Sequence, residues 1–102
     1  MTNNTPVWTH TNFALDYDDT YTRDPDLWLD WVKHALEKGH TVKVVTMRYP
    51  YEGITMDSRL LELVEVIFTE RKAKRIFAKL KGYNVDVWID DRPDFIVGDA
   101  LL

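Results

Sequence analysis

Four short apolar runs, each separated from the next by a segment of different periodicity, limit what this chain can fold into more than any other feature. They are Asn12–Leu15, Thr41–Thr46, residues 63–69 and residues 85–89. All have the length of strands, and the last three are rich in β-branched or aromatic residues. After the first run, Asp24 and Pro25 open a helix as N-cap and first helical residue. Leu27, Trp28, Trp31, Val32, Ala35 and Leu36 then recur at helical spacing, and Gly39 stops the helix at the position after its cap. Residues 48–53 read as a loop around Pro50 and Gly53, and residues 56–61 as a short helical piece. Residues 72–81 read as a helix with Ala73, Ile76, Phe77 and Leu80 on one face, ended by Gly82. Arg92-Pro93 breaks the fourth strand, and residues 95–102 leave room for a short strand or a turn of helix.

Alternation of strand and helix predicts an α/β fold: a Rossmann-like three-layer α/β/α arrangement on a short, mostly parallel sheet of about four strands. The third strand is expected at a sheet edge, where pairing with a second chain would make a homo-oligomer. With 102 residues the chain has the size of one domain, 1–102, with a polar lead-in over residues 1–10 that is expected to fray.

Composition removes several classes of function. Cysteine is absent, so neither a disulfide framework nor a thiolate metal site can form. His10, His34 and His40 have no ligand spacing and read as surface or hydrogen-bonded histidines. No apolar run approaches the roughly 20 residues that cross a bilayer, and no secretory signal pattern opens the chain, so a cytoplasmic protein without a membrane partner is expected. The formal net charge is −4, which argues against indiscriminate nucleic-acid binding. The signs are segregated, however. Arg71, Lys72, Lys74, Arg75, Lys79 and Lys81 form a basic run, whereas acids gather at Asp16, Asp18 and Asp19 and again at Asp90, Asp91 and Asp94.

In an open parallel sheet, ligands sit at the carboxyl ends of the strands. Three polar clusters fall there: residues 16–20, Thr46, and Asp90-Asp91. Asp16 and Asp18, two apart, are expected to face one pocket, and like charges that close need a cation or a proton between them. Mg²⁺ takes oxygen ligands of this kind and shares its shell with phosphate. Asp90 and Asp91 add carboxylates, Thr46 a hydroxyl, and a lysine of the third helical segment a compensating charge. Together these are the parts of a phosphoryl-transfer site.

Phe-Ala-Leu-Asp16-Tyr-Asp18-Asp-Thr20 resembles the first motif of the haloacid dehalogenase superfamily, an apolar strand running into Asp-x-Asp-x-Thr. Val-Val-Thr46 resembles its second motif, a lysine opening a later helix its third, and Val-Trp-Ile-Asp90-Asp91 its fourth, all in the same order from about Asn12 to Pro93. The resemblance implies an Mg²⁺-dependent phosphatase. Asp16 would be the nucleophile that forms an aspartyl-phosphate. Asp18 would be the general acid and base, its backbone carbonyl on the metal. Thr46 and a lysine, Lys74 in preference to Lys72, would hold the phosphoryl group, and Asp90 and Asp91 would complete the metal site. Thr20, Arg48 and Lys72 are expected on the substrate. No segment is long enough for a cap domain, which implies an open site suited to a nucleotide, a nucleic-acid end or another large phosphorylated substrate.

Each feature also has a plainer reading. Residues 16–19 and 90–93 could be solvated turns, threonine is common in strands, and most lysines of a basic run face water. Two rival functions remain open. One is an inactive module of the same type that binds Mg²⁺ and a phosphorylated ligand or a protein. The other is nucleic-acid binding through the basic run. Arg48, Tyr49 and Tyr51 follow Thr46 directly and are suited to stacking on a base or gripping a second phosphate.

Overall fold

The computed structural model describes residues 9–100. The expected lead-in over residues 1–10 falls mostly outside them, as do the last two residues of the expected tail. Four strands, β1 (Asn12–Leu15), β2 (Thr41–Thr46), β3 (Glu65–Phe68) and β4 (Val87–Ile89), form one sheet in the order β3-β2-β1-β4. Every pairing is parallel: β1 with β2, β1 with β4, and β2 with β3. The sheet is flanked by helices, as the alternating pattern predicts for a Rossmann-like α/β/α fold.

The strand pleat divides the apolar residues between two layers. Phe13, Leu15, Val42, Val44, Val66, Phe68 and Ile89 share one cluster with Leu29, Val32 and Ala35 of α1 (Pro25–Glu37) and with Met56, Leu60 and Val64. Ala14, Val45, Ile67 and Trp88 meet Phe77, Ala78 and Tyr83 on the other side, where α3 (Lys74–Leu80) lies. Asp24 caps α1 by accepting from the Leu27 amide at 3.2 Å, with Pro25 behind it. Gly39 stands just beyond the C-cap with φ +89°, a left-handed conformation that glycine adopts without strain.

Several expectations are corrected. In α1, Leu27 is exposed and the buried stripe runs through Leu29, Val32 and Ala35, with Trp28, Trp31 and Leu36 packed at its margin. In α3, Ile76 and Leu80 are exposed, while Lys74 and Ala78, one turn apart, face inward with Phe77 half-buried. The helix has only seven residues and turns the 74/78 side to the sheet, so the 76/80 side is left in water. The third strand is shorter than residues 63–69, because Leu63 and Val64 extend the turn of α2 (Ser58–Leu61), both donating to the Leu60 carbonyl. Residues 50–55 form a 3₁₀ turn instead of a plain loop, and the tail supplies α4 (Asp94–Val97).

β1 is the strand at which the order reverses, with β2 on one side and β4 on the other. A crevice at its carboxyl end is therefore the expected ligand position. No helix among the described residues is long and apolar enough to cross a membrane.

Candidate functional site

The carboxyl ends of β1, β2 and β4 open into a cleft of about 710 Å³. Asp16 leaves β1 as a continuation of the ladder, its amide donating to the Ile89 carbonyl at 2.9 Å. This fixes the end of β1 against β4 and brings Asp16, Asp90 and Asp91 together. Each offers a carboxylate oxygen within 4.8 Å of the other two.

Lys74 reaches this group from the start of α3. Its Nζ donates to Asp16 Oδ1 at 2.8 Å and to Asp90 Oδ2 at 2.5 Å, and its side chain is only 3% exposed. The route to this position runs through the β3–α3 connection. Glu70 and Arg71 are both left-handed, with φ +55° and +69°. The Arg71 amide donates to the Met47 carbonyl at 3.0 Å, and Thr69 Oγ1 donates to the Lys72 carbonyl at 2.8 Å. These bonds fold the connection back over the end of β2, so that α3 starts with Lys74 pointing at the acids. Lys72 lies in the connection itself, exposed and outside the cleft.

Thr20 is buried beneath the acids and does not line the cleft. Its hydroxyl donates to Asp16 Oδ2 at 2.9 Å and accepts from the Asp91 amide at 3.2 Å. It is thus placed to orient two carboxylates, not to touch a substrate. Thr46 is 1% exposed and ends β2 at the cleft floor, its Oγ1 accepting from the Arg48 amide at 3.3 Å.

Asp18 lines the same cleft but stands apart from the other three acids. β1 ends at Leu15 and residues 17–20 form a turn, so the strand alternation that would have aligned Asp18 with Asp16 has ceased. Arg48 holds the Asp18 carboxylate with a two-pronged fork, Nε to Oδ2 at 2.9 Å and Nη2 to Oδ1 at 2.7 Å. Arg48 also donates to the Glu52 carbonyl and to Thr55 Oγ1. The Asp18 carboxylate is therefore paired with Arg48 and is not grouped with Asp16, Asp90 and Asp91.

The electrostatics are lopsided. Three carboxylates against one ammonium leave a formal charge of −2 on Asp16, Asp90, Asp91 and Lys74. Burial pushes the Asp16 carboxyl up to about 7 even though Lys74 pulls it down. Desolvation acts upward on Asp91 as well, but a proton shared with the Asp16 carboxyl and hydrogen bonding to Thr20 outweigh it and hold Asp91 below its ordinary value. Such a cluster needs a further positive charge to be fully ionised. The donors are all hard oxygens, and no cysteine exists in the chain. His10 and His40 are engaged at the opposite ends of the strands, where His10 bonds the Gly39 carbonyl and His40 accepts from the Thr11 amide. The residues fit a divalent, oxygen-seeking cation such as Mg²⁺ and not a soft metal.

No family model matches the chain, and searches of curated proteins and of solved structures return no match either. The site must be read from its own chemistry.

Several lining residues escaped the sequence reading, Arg71, Arg92 and Phe95 among them. Arg71 was visible only as one cation in a basic run, yet it is half-buried and donates through Nη1 to the Met47 carbonyl. Arg92 reaches the cleft from the β4–α4 connection and Phe95 from the first turn of α4, the guanidinium 4.6 Å from the ring centroid. No local pattern marks any of them, because each owes its position to how the segment after a strand packs at the end of the sheet.

Proposed function

We propose that the chain is an Mg²⁺-dependent phosphohydrolase of the haloacid dehalogenase type, acting through an aspartyl-phosphate at Asp16. The observation that carries the reading is the buried ammonium of Lys74 between Asp16 and Asp90, beside Asp91, at the strand where the sheet order reverses. Asp16, Asp90 and Asp91 would hold Mg²⁺, which when bound neutralises charge on the phosphate and on the carboxylates.

The chain's own residues then have distinct tasks. Lys74 and the Thr46 hydroxyl hold non-bridging oxygens of a phosphate monoester. The Asp16 carboxylate attacks phosphorus, an acyl-phosphate bond forms, and the ester P–O bond breaks. Asp18 gives the leaving oxygen its proton. As a carboxylate, Asp18 next takes a proton from water, which attacks the same phosphorus and releases inorganic phosphate with Asp16 restored. Arriving phosphate competes with Asp18 for the Arg48 fork, since guanidinium binds either oxyanion in two-pronged fashion. That exchange frees Asp18 to take up a proton from solvent and turn to the leaving oxygen.

The test is phosphate release from an aryl phosphate and a panel of nucleotides, with Mg²⁺ and with chelator. Metal-dependent release that is lost in Asp16→Asn is the expected result. The Arg48–Asp18 pair favours a second reading, an Mg²⁺- and phospholigand-binding module in which Asp18 stays locked. Unimpaired ligand binding with no release from any substrate would establish that reading instead.

A further inference from the structure

The proposed reaction uses the floor of the cleft and leaves its outer wall unexplained. A cleft of about 710 Å³ exceeds what a phosphoryl group fills and lies within the range of roughly 300–1,000 Å³ that encloses whole small molecules. On that wall Tyr51 is 76% exposed and Ile54 90% exposed. Large apolar side chains on a frayed loop would mean little, but the Pro50–Thr55 turn is pinned. Arg48 donates to the Glu52 carbonyl at 2.7 Å and to Thr55 Oγ1 at 2.9 Å. Glu52 Oε1 accepts from the Tyr49 amide at 2.8 Å. Gly53 packs so near Phe68 that a Cβ there would meet the ring at 3.0 Å.

The pinned turn holds an aromatic surface ready. The Tyr51 ring stacks on Tyr49 with centroids 5.7 Å apart and planes 19° apart. The Arg71 guanidinium lies 5.4 Å from the Tyr49 ring centroid. Because β2 and β4 are the two neighbours of β1, the turn after β2 and the segment carrying Arg92 and Phe95 after β4 flank Asp16 from two sides. One cleft thus combines a phosphate-type floor, an exposed aromatic face held rigid, and arginines at its rim.

We infer that Tyr51 is a stacking platform for the base of a mononucleotide whose phosphate lies at Lys74. This assignment rests on the phosphate-ester reading of the cleft floor. A nucleotide separates its phosphate from its planar ring by a sugar, which matches a site whose acid–lysine floor and aromatic wall belong to one cleft but to different loops. Base–aromatic stacking tolerates any base, so the platform selects nucleotides over sugar phosphates without choosing strongly among them.

The assignment is tested by calorimetric titration of Asp16→Asn, which stops turnover, with Mg²⁺ present. The probes are ribose 5-phosphate, phenyl phosphate and the four 5′-mononucleotides. Mononucleotides are expected to bind about tenfold more tightly than ribose 5-phosphate. Tyr51→Ala in the same background brings them down to the ribose 5-phosphate level, and Tyr51→Phe keeps the preference. Nucleosides, which cannot be hydrolysed, are titrated into the wild-type chain as a second measurement and are expected to saturate only while residue 51 is aromatic. Equal affinity for ribose 5-phosphate and mononucleotides overturns the inference, as does a preference that survives Tyr51→Ala. A Tyr51-dependent gain for phenyl phosphate but not for mononucleotides overturns it too and assigns the wall to aryl esters. Tyr51-dependent nucleotide binding in a chain that releases no phosphate supports the platform and overturns only the hydrolase.

Discussion

The Nζ of Lys74 lies 2.8 Å from Asp16 Oδ1, joining residues 58 positions apart in the chain. Both side chains are buried, and the same ammonium reaches Asp90. Removing one partner of a buried ion pair leaves the rest uncompensated, at a cost of about 3–5 kcal/mol. Lys74→Met is expected to lose stability on that scale in urea unfolding at neutral pH, along with phosphate release. Restoring the balance with Asp90→Asn in the Lys74→Met background should recover part of the stability but none of the activity.

The net charge of −2 on the acid–lysine cluster makes a divalent cation a stabilising ligand. At ten times its dissociation constant, Mg²⁺ should add about 1.4 kcal/mol and raise the Tm by roughly 5–10 °C. Differential scanning calorimetry with Mg²⁺ and with chelator checks this. Asp91→Asn should abolish most of the shift. An unchanged Tm at saturating Mg²⁺ would remove the metal site from the proposal.

Thr20 sits under the cluster with its hydroxyl shared between Asp16 and the Asp91 amide. Thr20→Val keeps the shape and leaves both groups short of a partner. The expected cost is about 1–3 kcal/mol, with Mg²⁺ affinity falling about 10–100-fold because the carboxylates lose their orientation. Thr20→Ser should restore both. Paired urea and Mg²⁺ titrations separate this outcome from a general loss of folding.

Arg48 links the acid Asp18 to the Pro50–Thr55 turn. If its fork passes from Asp18 to the incoming phosphate, Arg48→Ala raises KM and the inhibition constant of inorganic phosphate by about tenfold or more, since a charged hydrogen bond worth about 1.5–3 kcal/mol is lost. Arg48→Lys should fail to rescue, because an ammonium cannot form the fork. A variant that lowers kcat alone would place Arg48 on Asp18 throughout the reaction.

Away from the cleft, Tyr21 is fully buried and its hydroxyl donates to Asp57 Oδ2 at 2.7 Å. The Arg59 guanidinium and the Tyr21 hydroxyl hold the Asp57 carboxyl down at about 2. A carboxyl depressed in the folded state stabilises the fold above its ordinary value near 4, and that contribution is lost as pH falls from about 4 through 2. Asp57→Asn should therefore flatten the acid limb of the stability profile over that window. Tyr21→Phe should cost about 1.5–3 kcal/mol at neutral pH and less below pH 2, as read by chemical unfolding at both pH values.

Much of this architecture could be read from local pattern. The alternation of strand and helical periods determined a parallel α/β sheet. Asp24-Pro25 and Gly39 marked the ends of α1, and the acids after the first and fourth runs marked the carboxyl ends where the cleft opens. Those features depend on one residue and its near neighbours, which is why a sequence carries them. What tertiary structure alone decided is which groups meet. Lys74, not Lys72, reaches the acids because a left-handed pair at Glu70 and Arg71 folds the chain over the end of β2 before α3 begins. Asp18 is drawn to Arg48 and away from the other acids because the strand pleat stops at Leu15. Ile76 and Leu80 are exposed because α3 turns its Lys74–Ala78 side to the sheet. In each case the deciding partner lies on another element, so the outcome rests on how the layers pack and not on the spacing within either one.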